Sequence, residues 1–583
     1  MPQQSAFAAC SGRRATLNPV SVLTQVSPST ALPHAVSTPR PSACPGLLRI
    51  VAARDGGICR IKLPGGELSA DEARAIADAS TRHAAGVIEL TNRANLQLRG
   101  VRPGHEAELI AALVEAGLGP MKKPRADAIA ANAVDAAGIS DTVPASVADL
   151  ADAAARTDAS NAAAVSAADD VRNVMISPAA GRDPFALIDT AALCAELLTL
   201  LQRETRFTAL SPKFALLLDG GERLAKIDHP HDVWLAATSS RDGVRFVFGL
   251  AGCPCVEVEE DANAVTDDDA GAGAGAGAKA NAGTNARTHA AAAGVLAAHP
   301  LPATLTGSTV TRNSRTRSTH THDHRPLATV LPSQVPALVR ALLHTFLDLA
   351  PADALRMRDL LATHGADALL QHAQRYADFP LSRDAQLTEW RRSTTADAAL
   401  RLGAHAQREA GLWHVGGQPP LGRLDAATLH GLAALAQRHG NGTLRATPWQ
   451  SVLLPDIPTH ALPAALAELN GLGLASDPAQ PITRLIACAG SSGCAKSLAD
   501  TKADALRLAA LLPANVDVHL SGCTRSCAAA HCAPYTLLAA ARGLYDLYRR
   551  NGDAGFGHCV AHQLTIAQAA DLLAHLSRSD TDA

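Results

Sequence analysis

Residues 66–98, GELSADEARAIADASTRHAAGVIELTNRANLQL, align without a gap to residues 422–454, GRLDAATLHGLAALAQRHGNGTLRATPWQSVLL. Gly66, Leu68, Ala70, Ala77, Arg82, His83, Gly86, Thr91 and Leu98 meet identical residues at a constant offset, among them Gly422, Arg438, His439, Gly442 and Leu454. Each copy predicts a strand, an amphipathic helix (72–83; 427–438), a glycine turn and two further strands (87–91 and 95–99; 443–447 and 451–455). Ala73, Ile76 and Ala77 sit at helical spacing, and a glycine close behind each helix suits its C-terminal cap. A helix over a small antiparallel sheet is half of an α+β sandwich. The duplication predicts that the two copies pair about a pseudo-twofold axis.

Working outward, a second pair of blocks follows the copies. Residues 172–250 predict a strand, a helix at 185–202 and a strand at 213–219. Residues 484–550 predict a strand, helices at 496–511 and 534–550, and a strand at 516–520. The expected plan is A-B-A′-B′: half-domain A at 44–125, block B at 169–257 with a helical remainder at 327–400, half-domain A′ at 411–475, and block B′ at 481–575. Residues 1–43 read as a disordered leader, and 125–168 as a weak zone of Ala, Asp and Ser. Residues 258–326 read as a disordered insertion around GAGAGAGA (271–278), because such composition cannot offset chain entropy by burial. His320, His322 and His324 alternate inside it and are read as part of that polar loop.

The 583 residues hold 52 Lys and Arg against 55 Asp and Glu, a net charge of −3, which argues against a nucleic-acid partner. Apolar residues make up 47%, enough for several cores. No apolar run reaches spanning length, so no membrane role is expected. The twelve cysteines are too sparse for a secreted disulfide scaffold, and their clustering points to a metal or redox site in a cytoplasmic protein. The only glycine-rich stretch resembling a dinucleotide fingerprint follows an acidic run rather than a strand, so no nucleotide fold is expected. Cys253-Pro-Cys255 reads as a turn, and Cys532 and Cys559 as small packed residues.

The strongest chemical motif lies in B′. Cys488-Ala-Gly-Ser-Ser-Gly-Cys494 is followed by Cys523-Thr-Arg-Ser-Cys527. Zinc pairs usually have two to four intervening residues. The wider first spacing suits a cubane cluster held by four thiolates. Gly490 and Gly493 let backbone approach sulfur, and a helix starting near Lys496 would turn its positive end toward the loop.

These cysteines, within the second of two repeated α+β halves, resemble those of the nitrite/sulfite reductase family, in which the pair holds a 4Fe-4S cluster beside a tetrapyrrole. Arg60 and Lys62 before Leu63-Pro-Gly-Gly, Thr91-Asn-Arg93 with Gln97, Val171-Arg172-Asn173-Val174, and Pro212-Lys213-Phe214 resemble further family segments. The resemblance implies that Arg60, Lys62, Arg93, Arg172 and Lys213 form a catalytic, cationic cradle for a polycarboxylated macrocycle, which Arg forks suit. It also implies that Cys488, Cys494, Cys523 and Cys527 bind the cluster, with Cys527 at the position whose sulfur bridges cluster and haem iron in the reductases. Two departures stand out: Ala215 replaces a second lysine, and Thr-Arg-Ser fills the last cysteine pair. With Cys44-Pro-Gly-Leu-Leu-Arg-Ile and Lys496-Ser-Leu-Ala-Asp-Thr-Lys502, the chain resembles the precorrin-3B synthase branch. That branch implies oxygen-dependent hydroxylation of precorrin-3A with γ-lactone formation in aerobic cobalamin synthesis. The implied partners are a tetrapyrrole substrate, dioxygen, and a separate electron-donor protein that uses NAD(P)H. Sirohaem or a lone iron as a further occupant stays open. So do two alternatives: a sirohaem-dependent sulfite or nitrite reductase, and a non-catalytic iron–sulfur protein.

Overall fold

The computed structural model of the protein describes residues 44–120, 159–254, 326–351, 353–529, 533–551 and 555–581. The expected leader, the insertion up to residue 325, and the weak zone up to residue 158 lie outside the described residues.

Each repeat builds a sheet, and the two sheets exchange a strand. The first sheet runs Val51–Ala53, Gly56–Ile61, Leu96–Val101, Val87–Leu90, and then Arg423–Asp425 from the second copy. The second runs Gly403–Ala406, Leu412–Gly417, Val452–Pro458, Thr443–Ala446, and then Glu67–Ser69 from the first copy. Leu68 pairs with Leu444, and Leu424 with Ile88. Both exchanged leucines are buried in one core with Ile76, Ile88, Leu432 and Leu454. The covering helices, Ala70–His83 and Ala426–His439, pack on each other across the pseudo-twofold axis. Ser69 caps the first in a capping box with Glu72, and Asp425 caps the second through the Thr428 amide. The duplication shows in the backbone too. Left-handed residues recur at the repeat offset: Gly65 and Leu421, Gly66 and Gly422, Gly86 and Gly442, Ala94 and Gln450. At Gly66 a Cβ would strike the Ala446 carbonyl, so the crossing of the exchanged strands excludes any side chain there.

The two blocks also share a plan. In the first, Val174–Met175, Leu216–Asp219 and His231–Ser240 run parallel, followed by antiparallel Gly243–Gly252 and Ala328–Val330. In the second, Leu485–Ala487, Val518–Ser521 and Tyr535–Ala541 are parallel, followed by antiparallel Leu544–Arg549 and His558–Leu564. Helices Ala191–Arg203 and Val335–Leu349 cover the first sheet over a core that includes Phe207, Phe246, Phe248 and Phe346. Helices Thr501–Ala509 and Ile566–Thr581 cover the second. The α+β duplicated architecture expected from the sequence is the one observed.

One expected element is overturned. Residues 534–550 form a hairpin instead of a helix, with strands Tyr535–Ala541 and Leu544–Arg549. Ala-rich composition suggests a helix, but Gly543 sits at φ 71 as a turn requires. Tyr545 and Leu547 alternate inward, and the buried sheet face outweighs propensity. The expected helix from Lys496 begins instead at Thr501, where Asp500 accepts from the Ala503 amide. Among the described residues no helix is long and apolar enough to cross a membrane.

Candidate functional site

The parallel strands of the two blocks deliver their functional residues from opposite ends. In the second block, Cys488 follows Leu485–Ala487 and Cys523 follows Val518–Ser521, both at the C-terminal ends. In the first, Arg172, Lys213, His231 and Asp232 stand at or before the strand starts.

A turn of helix, Gly490–Gly493, separates Cys488 from Cys494. Ser526, at φ 51, bends the chain between Cys523 and Cys527. The Gly522 amide donates to Cys488 Sγ at 3.3 Å, and Thr501 Oγ1 lies 3.3 Å from the same sulfur. Burial raises the Cys527 pKa, and charge on Cys523, Cys488 and Cys494 raises it further, so the four sulfurs are electrostatic neighbours. Among the described residues no three His, Cys, Asp or Glu side chains close around a single ion. Four thiols that sense one another, with a backbone amide donated to one sulfur, are a donor set suited to an iron–sulfur cluster. Cys527, exposed, is the outermost of the four.

A polar row crosses the first half-domain sheet toward these cysteines. In register across four strands stand Arg423, Glu89, Gln97 and Arg60. Arg423 Nη2 donates to Glu89 at 2.8 Å, Gln97 Nε2 to Glu89 at 3.4 Å, and Arg60 Nη2 to Gln97 Oε1 at 3.1 Å. Burial lowers the Arg60 pKa, while charge on Cys44, Asp170 and Cys527 opposes the fall. Arg60 therefore stands between the row and the exposed cysteine. Its Nε is buried without a hydrogen-bond partner. Asn92 Nδ2 donates to the Ala528 carbonyl at 3.4 Å, which brings the 91–95 turn, and with it Arg93, against the Cys527 loop.

The cradle residues divide into bound and unbound. Lys62 is buried, donates to the Asp170 carbonyl at 2.6 Å, and is pushed down to about 8 by burial, with Arg172 and Arg93 adding to the fall. Arg172 forms a buried ion pair with Asp169 at 3.0 Å. Arg93, half-buried, makes no side-chain hydrogen bond or ion pair among the described residues. Burial pushes its pKa down to about 10, and Arg356 and Arg60 repel it further. Lys213 is exposed. Its loop is tied to the others by Asn173 Nδ2, which donates to the Pro212 and Phe214 carbonyls. Arg60, Lys62, Arg93 and Arg172 thus share one electrostatic neighbourhood, while the Lys213 side chain shows no link to them.

Sequence reasoning missed several neighbours. Arg356 holds Asp232 at 2.9 Å, and Asp232 accepts from the Ala215 and Met357 amides. His231 is buried, and burial and Arg93 push it down to about 3, against a hydrogen bond to the His229 backbone. Glu89, Arg99 and Lys502 lie beneath the cysteine loops. The signal available was Glu89 interrupting the otherwise apolar Val87–Leu90, where a buried charge needs a partner; Arg99 alternates with Gln97 as on any half-buried strand.

Comparisons with known proteins bear on the fold and the order of the half-domains and blocks. The family model of the nitrite/sulfite reductase ferredoxin-like half domain matches residues 52–116 and 405–472. The model of the nitrite and sulphite reductase 4Fe-4S domain matches residues 167–381, the first block, whereas the paired cysteines lie in the second, which repeats its strand order. The chain is 39% identical over 134 residues to a chloroplastic ferredoxin–nitrite reductase of Zea mays, covering 22% of this chain and 24% of that protein. It is 37% identical over 129 residues to a ferredoxin sulfite reductase of Mycolicibacterium paratuberculosis, covering 20% and 23%. The aligned stretches span about a quarter of these relatives. The solved structure of the Mycobacterium tuberculosis NirA protein superposes with a TM-score of 0.60 at 19% identity, over 90% of this chain and 80% of that one, a likeness of fold. The two family models together span more than half of the chain and fall on the exchanged half-domains and the first block, and the chain belongs to the nitrite/sulfite reductase family.

Proposed function

We propose that the protein is an oxidoreductase that binds a polycarboxylated tetrapyrrole at Arg60 and Arg93, beside a 4Fe-4S cluster held by Cys488, Cys494, Cys523 and Cys527. The observation that carries this reading is Arg93. A half-buried guanidinium with no side-chain hydrogen bond or ion pair among the described residues, repelled by Arg356 and Arg60 with Asp232 opposing them, is costly unless a further anion joins it. Arg60 adds a second open donor, held by Gln97 and facing the Cys527 side. The bound cluster supplies single electrons next to that anion. The protein's own part is to orient carboxylates, to keep Lys62 and Arg172 in fixed contacts behind the site, and to hold the reacting group against Cys527.

Within this class the finer reading is oxygen-dependent hydroxylation of precorrin-3A, with the tetrapyrrole as substrate. One oxygen atom enters the substrate, and two electrons and two protons carry the other to water. A separate NAD(P)H-dependent donor protein would supply those electrons. Ala215 favours this over oxyanion reduction: where the reductases carry a second lysine, a small buried residue spends its amide on Asp232. The second reading is a sirohaem-dependent nitrite or sulfite reductase, which the names of the relatives favour.

One preparation separates the readings. Anaerobically purified protein is assayed for iron, acid-labile sulfide and visible spectrum, then reduced and offered precorrin-3A with dioxygen, nitrite, or sulfite. Cluster absorption without haem bands, and turnover of precorrin-3A only, is the expected result. Stoichiometric sirohaem with nitrite or sulfite turnover would establish the second reading. A protein without iron or sulfide would remove both.

A further inference from the structure

Two buried cations are anchored one peptide away from two of the four cysteines. Arg99 Nη2 donates to the Gly493 carbonyl at 2.9 Å, immediately before Cys494. Lys502 Nζ donates to the Leu421 carbonyl at 2.9 Å and to the Ala487 carbonyl at 3.4 Å, immediately before Cys488. They come from different parts of the chain, Arg99 from the first half-domain sheet and Lys502 from helix Thr501–Ala509. Both side chains are buried. A Cβ on Gly493 would strike the Arg99 guanidinium, so the glycine lets the cation reach the loop.

Between them lies one carboxylate. Glu89 is 3.8 Å from Lys502, 3.6 Å from Arg99 and 2.8 Å from Arg423. Burial alone would raise its pKa, but Lys502, Arg99 and Arg423 outweigh burial and hold it below its ordinary value, so it is a charged counter-ion. Asp55, at the edge, takes the other side of Arg99 at 2.8 Å. This inner group of charges reaches the tetrapyrrole side only through Gln97, which donates to Glu89 and accepts from Arg60, and the binding reading gives Arg99 and Lys502 no part.

An electron added to an anionic cluster is stabilised by nearby positive charge and opposed by nearby negative charge. Buried charges are screened little by salt, and local charge and hydrogen bonding are the levers by which a protein moves a cluster potential. We propose that Arg99 and Lys502 raise the reduction potential of the four-cysteine cluster, and that Glu89 limits how much of their charge the cluster feels. The proposal rests on the cluster reading above and goes beyond it by giving three further residues a signed role. They are positioning residues, since none touches sulfur.

The test is an EPR-monitored redox titration of the full-length reconstituted protein and of three variants: Lys502→Met, Arg99→Gln and Glu89→Gln. The first two should shift the potential negative and the third positive. The expected size is about tenfold in the ratio of reduced to oxidised cluster at a fixed potential, roughly 59 mV for one electron. Lys502→Arg should restore the wild-type value. A purely structural role would move all three variants the same way or cost all three their iron, and either result overturns the proposal. So does an unchanged potential in a variant with full iron. If only the cation variants lose iron, Glu89→Gln decides alone: a positive shift supports the proposal, and any other result overturns it. Full iron and sulfide in Cys523→Ala would instead overturn the cluster reading, an outcome the potentials cannot produce.

Discussion

Arg172 lies 3.0 Å from Asp169, and both side chains are almost fully buried. Arg93 has the same chemistry and no hydrogen-bonded or ion-paired partner for its side chain among the described residues, and the difference fixes what each truncation does. Removing one member of a buried pair strands the other charge and costs about 3–5 kcal/mol. Arg172→Ala should therefore lower the thermal midpoint sharply. Arg93→Ala deletes a group already repelled by its neighbours and should change stability by about 0.5 kcal/mol or less. For ligand the order reverses: Arg93→Ala should lose affinity for uroporphyrin, an octacarboxylic probe, by at least tenfold, read by fluorescence quenching. A stable Arg172→Ala protein with weakened probe binding would return Arg172 to the ligand-contacting role that the sequence resemblance implies. Motif matching could not separate these arginines, because Asp169 becomes a partner only through the chain turn that folds it back onto Arg172.

The exchanged strands make the half-domains mutually dependent. Glu67–Ser69 completes the sheet of the second copy, and Arg423–Asp425 completes that of the first. Leu68→Ala removes a buried side chain from the shared core and should cost about 2–5 kcal/mol. The loss should appear in hydrogen exchange of Thr443–Ala446 as much as in the strands of its own copy. Protection lost only within residues 51–101 would show that the copies fold separately. Much of this was legible beforehand: the gapless repeat predicted the covering helices within two residues of their observed starts. The exchange was not legible, since Leu68 and Leu424 alternate with polar neighbours as any half-buried strand does, and periodicity does not reveal which sheet a strand joins. The hairpin at 535–549 escapes a reading from sequence for a related reason. Alanine supplies helix propensity on both faces of a segment, and only the sheet partner decides.

The molecule as a whole is pseudo-symmetric, yet its two equivalent sides are not both open. Strand registers place Ser177 and Asp183 where the second block has Cys488 and Cys494, and Gly221 and Ala225 where it has Cys523 and Cys527. None of the four is a thiol, and two are already engaged. Ser177 Oγ donates to the Leu224 carbonyl at 2.7 Å, and Asp183 accepts from the Arg223 amide at 2.8 Å. At the repeat offset, Gly416, Gln418 and Trp449 stand in place of Arg60, Lys62 and Arg93. Trp449 packs with Leu400 against Ala179, Leu224 and Leu453, and Lys226 lies 5.5 Å above its ring. Apolar packing thus fills the side that cations line in the other half, and a buried serine and carboxylate replace thiolates that could bind iron. The expected outcome is one cluster per chain even after reconstitution with excess iron and sulfide, counted by colorimetric iron and by EPR spin integration. Twice that iron content, abolished by Asp183→Ala while the Cys488 cluster persists, would show that the first block binds a cluster of its own. A single cluster in that experiment means that duplication supplied two frames, of which the chain equips one for redox chemistry and packs the other as core.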